Sequence, residues 1–163
     1  MQPAIAEKGL MVLDVTARGK SGHAARNEGE NAIYKLLPDI EWFRTYKFPK
    51  ESPILGPVKM SVTQINAGTQ HNVIPDLCSI VVDIRSNECY SNEELFAEIC
   101  QHIQSEAKAR SFRLNSSSIP SDHPFVKRAI ELGKVPFGSP TLSDQALMPF
   151  PSVKNGTGEK SSF

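Results

Sequence analysis

Residues 9–29 read "GLMVLDVTARGKSGHAARNEG". How this stretch is parsed decides the fold. From Val12 onward apolar and polar residues alternate and β-branched side chains are frequent, the pattern of a half-buried strand over 9–18. Gly19 and Gly22 end it. The remainder could be a phosphate loop, a metal site, a catalytic histidine or a plain turn. A phosphate loop needs a glycine five positions before the glycine of Gly-Lys-Ser, so that backbone amides curl round the phosphates. That position is Asp14, a strand carboxylate that repels phosphate. A zinc site fails within this stretch, because zinc takes three or four ligands and His23 has no His, Cys or Asp two to four residues on.

Outward from this strand the elements follow in order. Residues 31–43 place Ala32, Ile33, Leu36, Leu37, Ile40 and Phe43 at helical spacing. Pro38 lies inside that pattern, removes one hydrogen bond and predicts a kink or a restarted helix. Residues 49–57 read as a loop. Residues 58–66 alternate as a second strand, and "AGTQHN" turns into a third over 77–85. Residues 91–110 read as a helix, opened by a Ser91-x-x-Glu94 capping box and striped by Leu95, Phe96, Ile99 and Ile103. "SFRLN", 111–115, returns as a fourth strand. The order strand, helix, strand, strand, helix, strand predicts an α+β fold. It is a two-layer split βαβ (ferredoxin-like) sandwich, a four-stranded antiparallel sheet with two helices on one face.

Composition narrows the function classes. The chain has 163 residues, with 18 Lys plus Arg against 18 Asp plus Glu, so no general attraction to nucleic acid or anionic membrane is expected. No apolar run approaches the roughly 20 residues that span a bilayer. The three cysteines, Cys78, Cys89 and Cys100, are at no metal-like spacing and read as reduced thiols of a cytoplasmic protein. A sheet that reads RNA needs exposed aromatics on its central strands, and 58–66 and 77–85 hold none. After Ser116 the texture changes. "SSSIPSD" looks like a linker and "HPFVKRAIEL" like a short amphipathic helix. The proline- and glycine-containing tail predicts a poorly ordered segment beyond about 135.

Three segments, "GKSGHAA" (19–25), "GTQHNVIPD" (68–76) and "VVDIRS" (81–86), together resemble the lid, or dimerisation, domain of the di-zinc amidohydrolases. That family includes acetylornithine deacetylase, succinyl-diaminopimelate desuccinylase and the glutamate carboxypeptidases. The resemblance implies a lid over residues 1–116 and an incomplete segment of the catalytic domain over 117–163, in a chain expected to be truncated at both ends. It implies two zinc ions per chain in the intact enzyme. None is expected on this chain, which lacks the family's ligand motifs and is expected to be inactive alone. It implies a homodimer through the lid, with strand 9–18 or strand 58–66 as the pairing edge, and a small N-acyl amino acid as substrate of an acetylornithine deacetylase-like enzyme.

By the same resemblance His23 reaches into the partner's active site and stabilises the oxyanion, against the plainer reading of a turn histidine. Asn72 and Arg85 match residues that hold the substrate's carboxylate. The plainer readings are a turn residue for Asn72 and a salt bridge to Asp83 or Glu88 for Arg85. Gly156 and Gly158 match a substrate-binding loop. A non-catalytic dimerisation or small-ligand-binding module of the same fold is the alternative, since fold alone does not fix function.

Overall fold

The computed structural model describes residues 2–148 and 150–156. The first unit is a four-stranded antiparallel sheet of order β4-β6-β2-β7. Its strands are β2 (Met11–Arg18), β4 (Lys59–Ala67), β6 (Leu77–Arg85) and β7 (Glu106–Ala109). A two-stranded antiparallel ribbon of short strands, β3 (Gly22–His23) and β5 (Val73–Ile74), is attached at one end. Helices α1 (Ala32–Thr45) and α2 (Asn92–His102) lie together on one face.

Period-2 alternation places this core. Met11, Leu13, Val15 and Ala17 of β2 and Cys78, Ile80, Val82 and Ile84 of β6 are buried against Leu36, Phe43, Leu95 and Ile99 of the helices. The intervening residues, Asp14, Thr16, Ser79, Asp83 and Arg85, sit on a helix-free face that is half-buried at most. Ser91 caps α2 with the full capping box, its side chain accepting from Glu94 N while the Glu94 carboxylate accepts from Ser91 N.

Several expectations are corrected. The helix expected over 91–110 ends at His102, and the fourth strand is 106–109 rather than 111–115. "EAKA" is made of good helix formers, but pairing overrides propensity: Leu13 to Thr16 of β2 pair with Ala109 to Glu106. Asp39 of α1, 2% exposed, stops the helix from outside. Its two carboxylate oxygens accept from the backbone N–H of Gln104 and Ser105, each at 3.0 Å. Pro38 does not restart α1, which continues unbroken to Thr45. The carbonyl left without a partner belongs to Tyr34, a residue 70% exposed. Strand 9–18 is not an edge: β2 has β6 on one side and β7 on the other.

A second, smaller sheet was not foreseen. β1 (Gln2–Glu7) pairs antiparallel with β8 (Ser117–Ser118) and β10 (Lys154–Gly156), and parallel with β9 (Phe137–Ser139). Residues 2–7 therefore belong with the chain beyond 116, and described residues of the expected disordered tail form β9, β10 and a 3₁₀ turn at Asp144–Leu147. Helix α3 (Pro124–Glu131), capped by His123, buries Val126 beside Ile5 and Ile119. Glu7, 1% exposed, accepts from both N–H and Oγ of Ser143 and so ties β1 to the segment after β9. Gly9 joins the two sheets where a Cβ would meet the Leu114 carbonyl at 2.7 Å.

Candidate functional site

The site begins where β2 runs out. The chain from Gly19 to Glu30 closes on itself through paired Lys20 and Glu30 backbones. It can close only because Gly19 and Gly22 lack side chains: a Cβ would meet the Glu30 carbonyl at 2.0 Å and the Glu28 carbonyl at 2.7 Å. His23 follows on the exposed side of β3. Its backbone N–H donates to Glu28 Oε1 at 3.0 Å, and its Nδ1 accepts from Ala25 N–H at 3.1 Å. That second bond fixes the tautomer of the neutral ring. Nδ1 is the acceptor, so the proton sits on Nε2, which is left to donate outward.

Asn72 is brought to the same place. Its carbonyl accepts from Ala24 N–H at 2.9 Å, and the next residue, Val73, pairs with His23. His71 beside it is an exposed turn residue, as its sequence suggests. The β3–β5 ribbon thus carries an imidazole N–H donor and a neutral amide side by side, both exposed.

Arg85 is elsewhere. It closes the opposite end of β6, on the helix-free face. Nε and Nη2 donate to the two Asp83 oxygens at 2.7 and 3.0 Å, so one of the two expected salt bridges forms; Glu88 instead accepts from Ser52 Oγ. Nine residues of β6, eight steps of about 3.3 Å, separate the end that carries the β3–β5 ribbon from Arg85 by about 26 Å. Within one chain, His23 and Asn72 do not share a site with Arg85.

Two cations that the sequence did not flag crowd Arg85. Lys59 is its register partner across β4 and β6. Lys8 Nζ donates to the carbonyl of Pro57 at 3.0 Å, two residues from Lys59. Burial first, and then the charges of Lys59 and Arg85, hold the Lys8 ammonium below its ordinary pKa. Only strand register reveals that residue 59 faces residue 85, so no local motif could have marked this corner. Gly156 lies in β10 opposite Gln2, in the other sheet. Gly158 lies outside the described residues. Among the described residues no three His, Cys, Asp or Glu come together as metal ligands, and no helix is long and apolar enough to cross a membrane.

Residues 5–111 match the peptidase dimerisation domain of the M20 family. Succinyl-diaminopimelate desuccinylase of Cereibacter sphaeroides (strain ATCC 17025 / ATH 2.4.3) is 27% identical over 157 residues, 95% of this chain and 41% of that protein. The enzyme of the same name from Psychrobacter sp. is 27% identical over 150 residues, 89% of this chain and 36% of that protein. Among solved structures, aminopeptidase PepT from Bacillus cereus superposes with a TM-score of 0.75 at 17% identity, covering 98% of this chain and 46% of that one. An M20 family metallo-carboxypeptidase from Sulfolobus solfataricus gives 0.62 at 16% identity, covering 86% and 53%. The chain therefore spans less than half the length of these curated relatives. With the family's domain matched over most of the chain, this protein belongs to the M20 peptidase dimerisation domain family.

Proposed function

We propose that this chain is the lid and dimerisation portion of a hydrolase that removes the acyl group from a small N-acyl amino acid, and that one active site is completed by residues of two subunits. The lid proper starts at about Gly9, where the chain leaves the second sheet. Residues 2–7 and 117–163 belong to the catalytic part. Zinc would supply an activated water in the intact enzyme. The described residues do not fit a metal centre, so it would be held by other parts of the protein. Reduced thiols at Cys78, Cys89 and Cys100 suit a cytoplasmic enzyme.

The observation that carries the reading is the separation of His23 and Asn72 from Arg85 along β6. A two-fold dimer in which an edge strand of the sheet pairs antiparallel with its copy would bring the β3–β5 end of one lid to the Arg85 end of the other. Of the two strands expected as the pairing edge, β4 is the one at an edge of the sheet; the other edge strand, β7, has only four residues. Among the described residues the outer edge of β4 is unpaired, a bulge at Thr63 interrupts its register with β6, and it packs beside α1. Ile65 on β4 is 60% exposed and Leu37 on α1 is 50% exposed. Edge pairing through β4 covers both the free backbone groups and this apolar surface.

Each residue then has a task. The His23 Nε2–H of one subunit donates to the oxyanion as the amide carbonyl of the substrate is attacked in the other subunit's site. Asn72 offers a neutral donor beside it. Arg85 holds the substrate carboxylate from within the same subunit, using the guanidinium N–H groups that Asp83 leaves free. In the complete reading frame, His23→Ala should lower kcat about a hundred- to a thousand-fold with little change in KM, since the oxyanion exists only near the transition state. A large rise in KM at unchanged kcat would show that His23 binds the ground state instead.

A further inference from the structure

We propose that Glu28 is a positioning residue for His23: its carboxylate, bonded to the His23 backbone N–H, keeps the imidazole turned so that Nε2–H faces outward. The consequence for catalysis rests on the reading of His23 as the oxyanion donor; the positioning itself rests on the geometry of the loop.

Alternation along β3 sets up the arrangement. Ala24 N–H donates toward β5, to the Asn72 carbonyl at 2.9 Å. Successive N–H groups of an extended chain point to opposite sides, so the His23 N–H points away from β5. Among the described residues no strand pairs with β3 on that side, since its sheet consists of β3 and β5. Glu28 Oε1 takes the place of a strand carbonyl and accepts from His23 N–H at 3.0 Å. The carboxylate is held where it is needed. A Cβ on Gly22 would meet Glu28 Cγ at 3.1 Å, so the Glu28 side chain crosses the strand at its glycine. Arg26 Nη1 stands 4.0 Å from Oε1 on the other side.

The same turn sets the ring. His23 Nδ1 accepts from Ala25 N–H at 3.1 Å, and the His23 carbonyl accepts from Arg26 N–H at 2.9 Å. Both bonds need the backbone at residue 23 to keep its direction, and Glu28 fixes it from the side that β5 leaves open. A carboxylate is suited to this, because a charge-assisted bond to a backbone N–H is about twice as strong as a neutral one. Two other histidines supply internal standards. His123 Nδ1 accepts from Phe125 N–H at 3.3 Å, which puts its proton on Nε2, as in His23. His102 Nδ1 lies 2.8 Å from the Glu98 carbonyl, which can only accept, so its proton sits on Nδ1.

The test uses the 163-residue chain with isotopically labelled imidazoles, in mildly alkaline buffer where imidazole is neutral. Proton–nitrogen correlation should give His23 the pattern of His123 and not that of His102. Glu28→Ala should move the His23 ring nitrogens toward the tautomer-averaged values of exposed His71. Glu28→Gln, which keeps an acceptor, should restore most of the original pattern, and Glu30→Gln, whose partner is Lys35, should change nothing. In the unaltered chain the His23 N–H should exchange about tenfold more slowly than that of His71 after correction for neighbouring residues. In the complete reading frame Glu28→Ala should lower kcat roughly tenfold at nearly constant KM, with rescue by Glu28→Gln. A His23 ring that keeps its pattern in Glu28→Ala, or moves as far with Glu28→Gln or Glu30→Gln, overturns the positioning role, as does a His23 N–H that exchanges as fast as that of His71. If the ring moves as stated but His23→Ala leaves kcat unchanged, the oxyanion reading fails and the positioning role stands.

Discussion

Replacing Asp39 tests why the chain changes from helix to strand at residue 103. The side chain is 2% exposed and its oxygens accept from Gln104 N–H and Ser105 N–H, both at 3.0 Å. Hydrogen bonds to a charged group contribute about 1.5–3 kcal/mol each. The two share one carboxylate and are not independent, so Asp39→Ala should cost about 3 kcal/mol. Asp39→Asn keeps one acceptor and should cost about half of that. The assay is urea unfolding followed by far-ultraviolet circular dichroism, with the slope m unchanged so that the midpoint reports stability. Amide exchange should also quicken along β7, whose pairing with β2 begins one residue after Ser105. Glu41→Ala, which breaks an exposed pair with Arg44, is the control and should leave the midpoint where it was. A cost for Asp39→Ala within about 0.5 kcal/mol of zero, the range of an ordinary surface change, would refute the reasoning and return the boundary to local propensity.

Two further outcomes follow from the same structure. Leu37→Glu with Ile65→Asp should convert a sedimenting dimer to a monomer at tens of micromolar without loss of helical signal; a dimer that survives both changes would mean that β4 and α1 are not the seam. Asp14 is held below the ordinary aspartate pKa, first by its hydrogen bond with Arg110; burial opposes this next, and the charges of Arg110 and Lys108 add smaller effects in the same direction as the hydrogen bond. A depressed carboxylate contributes stability above its unfolded pKa and loses it as pH falls through the folded one. Wild type should therefore lose its advantage over Asp14→Asn below about pH 4, and an advantage that grows on acidification would contradict the pairing.

Much of the lid was legible because its signals are local. Alternation over residues 9–18 and 77–85 marked the two central strands, and the Ser91–Glu94 capping box marked the start of α2. Strand order was not legible, since 9–18 and 58–66 alternate alike and only pairing shows that one is central and the other an edge. The sequence "EAKA" misled for a physical reason: its intrinsic preference is helical, and tertiary pairing with β2 prevails. β1 escaped because six residues of "QPAIAE" carry no period when nearly all are buried, and its partners lie more than a hundred residues away. His23 was singled out by the resemblance that "GKSGHAA" carries together with two later segments, whereas the tautomer depends on the Ala25 N–H, which no motif records. Lys59 became visible only through its register with Arg85.

The central claim is that one site takes His23 from one subunit and Arg85 from the other. Two variants of the complete reading frame test it, one His23→Ala and the other Arg85→Met, each nearly inactive as a homodimer. Mixed in equal amounts and allowed to exchange, half of the dimers are hybrids, and each hybrid rebuilds one intact site from the Arg85 of one chain and the His23 of the other. The account predicts recovery of about one quarter of wild-type activity. Verified subunit exchange with no recovery would place His23 and Arg85 in the service of the same chain and contradict the account.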